Sequence, residues 1–225
     1  MFHVKHWPHA PLNFMNAQEN LQAHMPKNLL NPVEIEGFQA WKTLLERWND
    51  KINLVSKSAM EDFWTRHALD SWQLWPLVPE DAETLIDLGS GAGFPGIALA
   101  IGCKRAGRGH VTLVESAGKK ANFLRTVIRE LDLPATVWAD RAEKMSAQRF
   151  DVISARAFAP LPRLFTYSQR FWGEGTKALL LKGANAAAEL TEAEESWSYV
   201  VKEFPSQSDP NGVILQISDL EKRNL

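Results

Sequence analysis

The stretch Thr84-Leu-Ile-Asp-Leu-Gly-Ser-Gly-Ala-Gly-Phe-Pro-Gly96 decides the fold of this chain. It predicts a short apolar strand that runs into a glycine-rich turn and then into a helix beginning near Pro95. Gly89, Gly91 and Gly93 alternate with other residues, so the backbone can take positive φ and approach a ligand without a Cβ in the way. The helix that follows aims its free N–H groups at that ligand. A cradle of this kind, at the carboxyl end of a first parallel strand, is where open α/β sheets bind small molecules. A strand–turn–helix with no ligand is the competing account. Three glycines in five residues argue against it, because each weakens the fold unless backbone geometry requires it.

Gly91-Ala-Gly-Phe-Pro-Gly96 also satisfies the G-x-G-x-x-G dinucleotide pattern, which by itself is a weak match. Asp87, two residues before Gly89, separates the two ligand classes: at the end of this strand an acid repels a pyrophosphate but can hold a cationic or amine-bearing ligand. S-adenosylmethionine carries a sulfonium and an ammonium. Pro95 suits the first position of the helix, where its missing N–H costs nothing.

Working outward, His110-Val-Thr-Leu-Val-Glu115 predicts a second strand ending in an acid, about 20 residues beyond the glycines, near the spacing at which a carboxylate meets ribose hydroxyls. Gly118 to Leu133 has helical periodicity, with Phe123/Leu124, Val127/Ile128 and Leu131 on one face. Further strands are expected over Ala135–Asp140, Phe150–Ala155, Lys177–Lys182, Tyr199–Phe204 and Val213–Ile217. Seven strands, five separated by helical segments and the last two adjacent, imply an α/β fold with a mostly parallel, doubly wound sheet that ends in an antiparallel hairpin. That arrangement resembles the class I (Rossmann-like) methyltransferase fold more than a dinucleotide-binding domain.

Several blocks carry a more specific resemblance. Asp87-Leu-Gly-Ser-Gly-Ala-Gly-Phe-Pro-Gly-Ile-Ala98, Glu115-Ser-Ala-Gly-Lys-Lys-Ala-Asn-Phe-Leu-Arg125 and Ile153-Ser-Ala-Arg-Ala-Phe158 are similar to the signature of the RsmG/GidB family. So are Trp48-Asn-Asp-Lys-Ile-Asn-Leu-Val-Ser56 and Arg66-His-Ala-Leu-Asp-Ser71 upstream; together they span roughly residues 33 to 183 in family order. The resemblance implies a methyltransferase that uses S-adenosyl-L-methionine to methylate N7 of one guanine, position 527, in 16S rRNA of the small ribosomal subunit. It implies cofactor contacts at Gly89, Gly91 and Phe94 of the turn, at Ala142 and Glu143 after the third strand, and at Arg156 after the fourth; Glu115 fits the ribose role on spacing. Many relatives place a shorter Ser-Arg-Ala-Phe after the fourth strand, where this chain reads Ser154-Ala-Arg-Ala-Phe158.

The chemistry agrees through what is missing. Guanine N7 has an in-plane lone pair and no proton to lose, so no general base is expected, and orientation of the nucleophile can supply much of the rate. Cytosine C5 methylation calls for a cysteine nucleophile, yet the single cysteine, Cys103, falls at the end of the first helix of the sheet domain and is expected to pack. An exocyclic amine acceptor is typically served by Asn/Asp-Pro-Pro-aromatic after the fourth strand, and here that place reads Ser154-Ala-Arg-Ala157.

Composition bounds the remainder. With 225 residues, 45% of them hydrophobic, the chain can bury one substantial core and a modest extra lobe. One cysteine allows no intrachain disulfide, as expected in a reducing cytoplasm. No stretch reads as a signal h-region or a membrane span. The net charge is −2, but residues 81–183 carry 15 Lys/Arg against 10 Asp/Glu, which places positive charge in the part that would face RNA phosphates. Lys104, Arg105 and Arg108 form one basic cluster, and Lys119, Lys120, Arg125 and Arg129 another; a solvated helix face is the alternative for the second.

Three segments are expected: a flexible tail over residues 1–30, a helical extension over 31–80 and the methyltransferase domain over 81–225. His3, His6 and His9 in the tail are evenly spaced, but no cysteine or carboxylate accompanies them, so no metal is assigned. Asn31-Pro-Val-Glu34 supplies a cap, an N1 proline and an N3 acid, and Ser58-Ala-Met-Glu61 reads as a capping box for a second helix. The Trp-rich stripes of these helices could stack RNA bases, although packing onto the sheet is the commoner use. The candidate substrate contacts are Asn53, Ser56, His67, Lys119 and Lys182. The expected partner is 16S rRNA, within the small subunit or an assembly intermediate, and the expected state is a monomer in the cytoplasm. A methyltransferase on another acceptor, an NAD-dependent enzyme and a non-catalytic RNA-binding module remain as alternatives, separated by cofactor binding and by the product.

Overall fold

The computed structural model describes residues 32–223; the predicted tail and its histidines lie outside them. Helix α1 (Pro32–Asn49) is followed by α2 (Lys57–Glu61), a π-helical run over Phe63–Leu69 and the short α3 (Asp70–Trp72). The sheet domain then alternates: β1 (Thr84–Leu88), α4 (Gly96–Ala106), β2 (His110–Val114), α5 (Gly118–Leu131), β3 (Ala135–Trp138), β4 (Val152–Arg156), α6 (Leu161–Ser168), β5 (Lys177–Lys182), α7 (Ala186–Glu194), β6 (Trp197–Pro205) and β7 (Val213–Lys222). The strand order is β3-β2-β1-β4-β5-β7-β6. The first five strands in that order are parallel, and β7 pairs antiparallel with both β5 and β6. This is the predicted seven-stranded sheet with its terminal hairpin.

The central strands are apolar on both faces because both faces are covered. Alternate residues divide between two cores: Leu85, Leu113, Val152 and Leu179 face one side, Ile86, Val114, Ile153 and Leu180 the other. Helices α4 and α5 cover the first side and α6 packs on the second. The helical extension is a further layer of the first core. Phe38, Trp41, Phe63 and Trp72 are completely or almost completely buried in the same cluster as Ile97, Leu99 and Phe123. Each such side chain contributes about 2–3 kcal/mol by leaving water, so the tryptophan stripes are packing surfaces, as the commoner use predicts. Cys103 packs there too, and burial pushes its thiol up to about 11.

Four local expectations are corrected. Pro95 precedes the helix as its N-cap residue, and Gly96 is the first helical position. The cap of α2 is Ser56, whose Oγ accepts from Ala59 N–H at 3.2 Å, so the predicted capping box at Ser58 does not form. Ser58 instead sits in the first turn, its hydroxyl 3.1 Å from that of Ser56. Glu34 is the expected acid of the first turn of α1; it is fully buried and forms a 2.7 Å ion pair with Arg105 of α4, fastening the extension to the sheet domain. The predicted third strand ends at Trp138, two residues early, and the fourth begins two residues late, at Val152.

Candidate active site

The turn after β1 takes φ of +72°, +56° and +103° at Gly89, Gly91 and Gly93. It is folded by its own backbone: the N–H groups of Gly93 and Phe94 donate to the Ser90 carbonyl, and those of Gly89 and Ser90 donate to the Val114 carbonyl at the end of β2. Asp87 does not present its carboxylate to a ligand. It is fully buried, Oδ2 accepting from Gly96 N–H at 3.2 Å and Oδ1 from the Ser154 hydroxyl of β4 at 2.8 Å. It therefore ties β1 to the start of α4 and to β4. Desolvation lifts its carboxyl to about 6 even though these hydrogen bonds favour the anion. The closeness of this packing requires glycine at position 96, where a Cβ would lie 2.6 Å from Asp87 Oδ2 and 2.2 Å from Leu113 Cδ2.

Glu115 does reach the cleft. Its Oε2 accepts from Gly91 N–H at 2.9 Å and its Oε1 from Ala117 N–H at 2.7 Å, so it braces the glycine turn from the neighbouring strand. With Gly89, Ala142, Glu143, Phe158 and Tyr167 it lines a chamber of about 430 Å³. Ala142 and Glu143 reach it from a single 3-10 turn after β3. Four of the seven predicted cofactor residues, Gly89, Glu115, Ala142 and Glu143, thus meet in one cavity. Gly91 stands behind it as a donor to Glu115.

Phe94 and Arg156 do not line this chamber. Arg156 instead lines a second cavity of about 500 Å³ with Asp70, Phe158, Leu181, Lys182 and Glu189, and Phe158 borders both cavities. Arg156, the last residue of β4, donates through Nε to Asp70 Oδ2 at 3.1 Å and holds its guanidinium 5.6 Å above the Phe94 ring. The other face of the site is apolar packing: the His67 ring stacks on Phe94 at 4.4 Å, and Trp41 meets Phe94 at 4.6 Å. Neither ring nitrogen of His67 has a hydrogen-bond partner. Burial, with Arg156 and Arg66 nearby, lowers its pKa to about 4, so it is neutral at pH 7. Lys182 donates to Glu189 at 2.7 Å and to the Ala159 carbonyl at 2.8 Å, and Glu189 in turn accepts from Leu161 N–H at 2.9 Å.

The remaining wall comes from the β6–β7 hairpin loop, latched to the helical extension. Buried Gln73 donates to the Ser206 hydroxyl at 3.1 Å and accepts from Gln207 N–H at 2.8 Å, and Ser208 donates to Asp70 Oδ1 at 2.5 Å. Residues more than 130 positions apart are joined in this way.

The predicted substrate residues separate into four places. Lys182 stands in the second chamber. Asn53 and Lys119 share a pocket of about 400 Å³ with Lys51 and Lys120, and Asn53 and Ser56 line a groove of about 1050 Å³ beside α1. His67 is in the interior beneath Phe94. The first basic cluster is tied to its own fold: Lys104 donates to the Leu131 carbonyl, Arg105 pairs with Glu34, and Arg108 donates to the carbonyls of Pro79 and Ala82. In the second, Arg125 donates to Asn122 and Arg129 to Glu130. Sequence reading missed Phe158, Tyr167, Asp70 and Glu189. Asp70 carried a faint signal, three residues after His67 on one helical face, whereas Phe158 carried none because its placement depends on a left-handed Ala157 at φ +50°.

Comparison with known proteins identifies the family. The profile of the GidB family, described as rRNA small subunit methyltransferase G, matches residues 34–210. A relative from Rhodospirillum centenum named ribosomal RNA small subunit methyltransferase G is 47% identical over 191 residues, covering 85% of this chain and 87% of that protein. One of the same name from Hyphomonas neptunium is 38% identical over 93% of this chain and its own full length. Among solved structures, the magnesium protoporphyrin IX methyltransferase of Synechocystis superposes with a TM-score of 0.57 over 82% of this chain and 97% of its own, at 11% identity. The glycopeptide N-methyltransferase MtfA complexed with S-adenosylmethionine gives 0.54 over 69% and 95%, at 12% identity. At such identities these two report the class I methyltransferase fold alone. With a matched profile over most of the chain and relatives at this level of identity, the protein belongs to the rRNA small subunit methyltransferase G (GidB) family of methyltransferases.

Proposed function

We propose that this protein transfers a methyl group from S-adenosyl-L-methionine to N7 of one guanine of 16S rRNA, position 527, in the small ribosomal subunit or its assembly intermediate. The observation that carries the reading is the Glu115 carboxylate, braced on the glycine turn at the rim of the first chamber and facing the Ala142–Glu143 turn. The residues fit the cofactor. Glu115 would offer acceptors to the two ribose hydroxyls, Ala142 and Glu143 would offer an apolar wall and a polar contact to adenine, and Gly89 lines the same chamber beside Phe158. When bound there, S-adenosylmethionine supplies an electrophilic methyl on sulfonium. Methylation at N7 would leave the positive charge on the purine and would release no proton for the chain to accept.

No base is then required, and the buried titratable groups suit that requirement. His67 is neutral and enclosed, and Asp87 is committed to Gly96 and Ser154. The chain's own task is to bind, orient and exclude water. A monomer in the cytoplasm fits the reading. Among the described residues no helix is long and apolar enough to cross a membrane.

The decisive measurement is transfer of labelled methyl to small subunits from cells lacking the gene, with the modified base mapped. N7-methylguanine at a single site is the expected result; label on another base or on protein would replace the proposed acceptor. Glu143→Ala should weaken S-adenosylmethionine binding about 10-fold by calorimetry, the effect of one lost polar contact. Unchanged affinity would remove Glu143 from the cofactor site.

A further inference from the structure

Lys51 of the helical extension meets Lys119 and Lys120 of the sheet domain in one pocket of about 400 Å³, which Asn53 and Gly118 also line. Other lysines are held by acids: Lys42 by Glu46, Lys104 by Asp132, Lys144 by Asp140 and Lys182 by Glu189. Among the described residues, none of the three ammonium groups in this pocket has an ion pair or a hydrogen bond, and no carboxylate lines it. The larger groove beside α1 differs, since its Lys42 and Lys57 share it with Glu46, Asp50 and Glu61. Three like charges around one concavity repel each other, a cost that an anion between them removes.

Both walls of the pocket are fixed by the fold. On the extension side, the Asn49 side chain accepts from Leu54 N–H at 2.7 Å and from Val55 N–H at 3.0 Å, and donates to the Val55 carbonyl at 3.0 Å. The N–H groups of Lys51 and Ile52 both donate to the Trp48 carbonyl. The Trp48 ring meets Phe123 of α5 edge-on at 5.7 Å, which sets the end of α1 against that helix. On the sheet side, Ala117 N–H donates to Glu115 at 2.7 Å. Glu115 and Ser116 line the cofactor chamber while Ala117 and Gly118 line the pocket, so one turn, β2 to α5, serves both. Gly118 is three residues beyond Glu115, a span of at most about 11 Å.

We infer that this pocket receives one backbone phosphate of the substrate RNA and so sets the register of the strand beside the cofactor chamber. The inference rests on the proposed function and adds to it a contact that positions the acceptor without touching the reacting atoms. Phosphate contacts fix register and orientation in this way, and a lysine serves as a point charge for them. Asn53 carries a donor and an acceptor in one side chain, which suits the ribose 2′-hydroxyl next to that phosphate. The first turn of α5 has no acidic residue and no side-chain cap, so its N–H groups add to the same positive potential. Arg125 and Arg129 further along α5 take no part, since they donate to Asn122 and Glu130.

The test replaces Lys51, Lys119 and Lys120 together by Gln and uses small subunits from cells lacking the gene. The triple variant should raise KM for the subunit about 10-fold with kcat within about 2-fold, the pattern of a contact made equally before and during reaction. S-adenosylmethionine affinity by calorimetry should stay within about 2-fold, which also shows that the variant is folded. Salt titration of RNA binding should lose about one unit of slope in log K against log salt, because the three lysines serve a single phosphate. Lys51→Arg keeps the charge and should retain the wild-type KM, and Arg125→Ala should leave it within about 2-fold. An unchanged KM in the triple variant, a slope lower by about three, an equal effect from Arg125→Ala or a parallel loss of cofactor affinity would each overturn the inference. Wild-type protein that binds the RNA through these lysines but transfers no methyl would overturn the proposed function and leave the phosphate pocket standing.

Discussion

The two chambers at the carboxyl edge of the sheet are built in opposite ways. The first is made by consecutive strand-to-helix turns: β1 to α4 gives Gly89, β2 to α5 gives Glu115, and the turn after β3 gives Ala142 and Glu143. Its order comes from neighbouring elements of the sheet, through Asp87 to Gly96 and Glu115 to Gly91. The second is assembled from Asp70, the Arg156–Pro160 segment, Lys182 with Glu189, and the Ser206–Val213 loop, held by a latch between Gln73 and a hairpin loop more than 130 residues later. A site placed by local turns is fixed as soon as the sheet forms, whereas a site closed by a long-range latch can open while the sheet stays intact.

Substitutions can separate these two modes of construction. The largest effect should come from Gly96→Ala, which drives a Cβ against Asp87 and Leu113. It should cost about 3 kcal/mol in urea unfolding at pH 7, the upper range for overpacking a tight core, and should weaken cofactor binding at the same time. Retention of wild-type stability would show that the first chamber is less tightly built than its distances imply.

An intermediate effect concerns pH. Folded Asp87, near 6, binds its proton more tightly than an unfolded aspartate does, so its contribution to stability is present at low pH and falls as pH rises from about 4 to 6. Folded His67, near 4, binds its proton less tightly than an unfolded histidine, so its contribution rises with pH between about 4 and 6.5. Each slope is worth up to ~3 kcal/mol, and in the wild type they oppose each other. Asp87→Asn should therefore leave a stability that rises over this range, and His67→Gln one that falls. Parallel profiles in the two variants would mean that neither group titrates as its burial implies.

The smallest effect belongs to the latch. Gln73→Ala removes three hydrogen bonds to the hairpin loop and one to Asp70, and should cost about 1–2 kcal/mol. Hydrogen exchange should quicken in residues 205–212, with cofactor affinity unchanged. If exchange quickened in the glycine turn as well, the two chambers would be one cooperative unit.

How much was legible follows the same division. The alternation of strands and helices, the three left-handed glycines and the acid after β2 are local properties of the chain, and the structure has each of them where the sequence implies. Asp87 was misread because its spacing is shared by a ligand contact and by a buried tie, and only the presence of Ser154 on the adjacent strand and Gly96 on the helix distinguishes the two. The Lys104–Arg105–Arg108 cluster looked like an RNA surface because composition does not record which way a side chain turns. In the fold its members are committed to Glu34 and to backbone carbonyls.

What the sequence determined by itself is the doubly wound sheet with its terminal hairpin, the glycine cradle and the placing of Glu115, since periodicity and turn chemistry act over a few residues. What only the tertiary structure decided is that Phe94, His67 and Arg156 stack in one column, that Phe158 covers Gly89, and that Asp70 faces Lys182 and Glu189 across a cavity. Those neighbours come from opposite ends of the chain, and only the burial of two aromatic helices against the sheet brings them together.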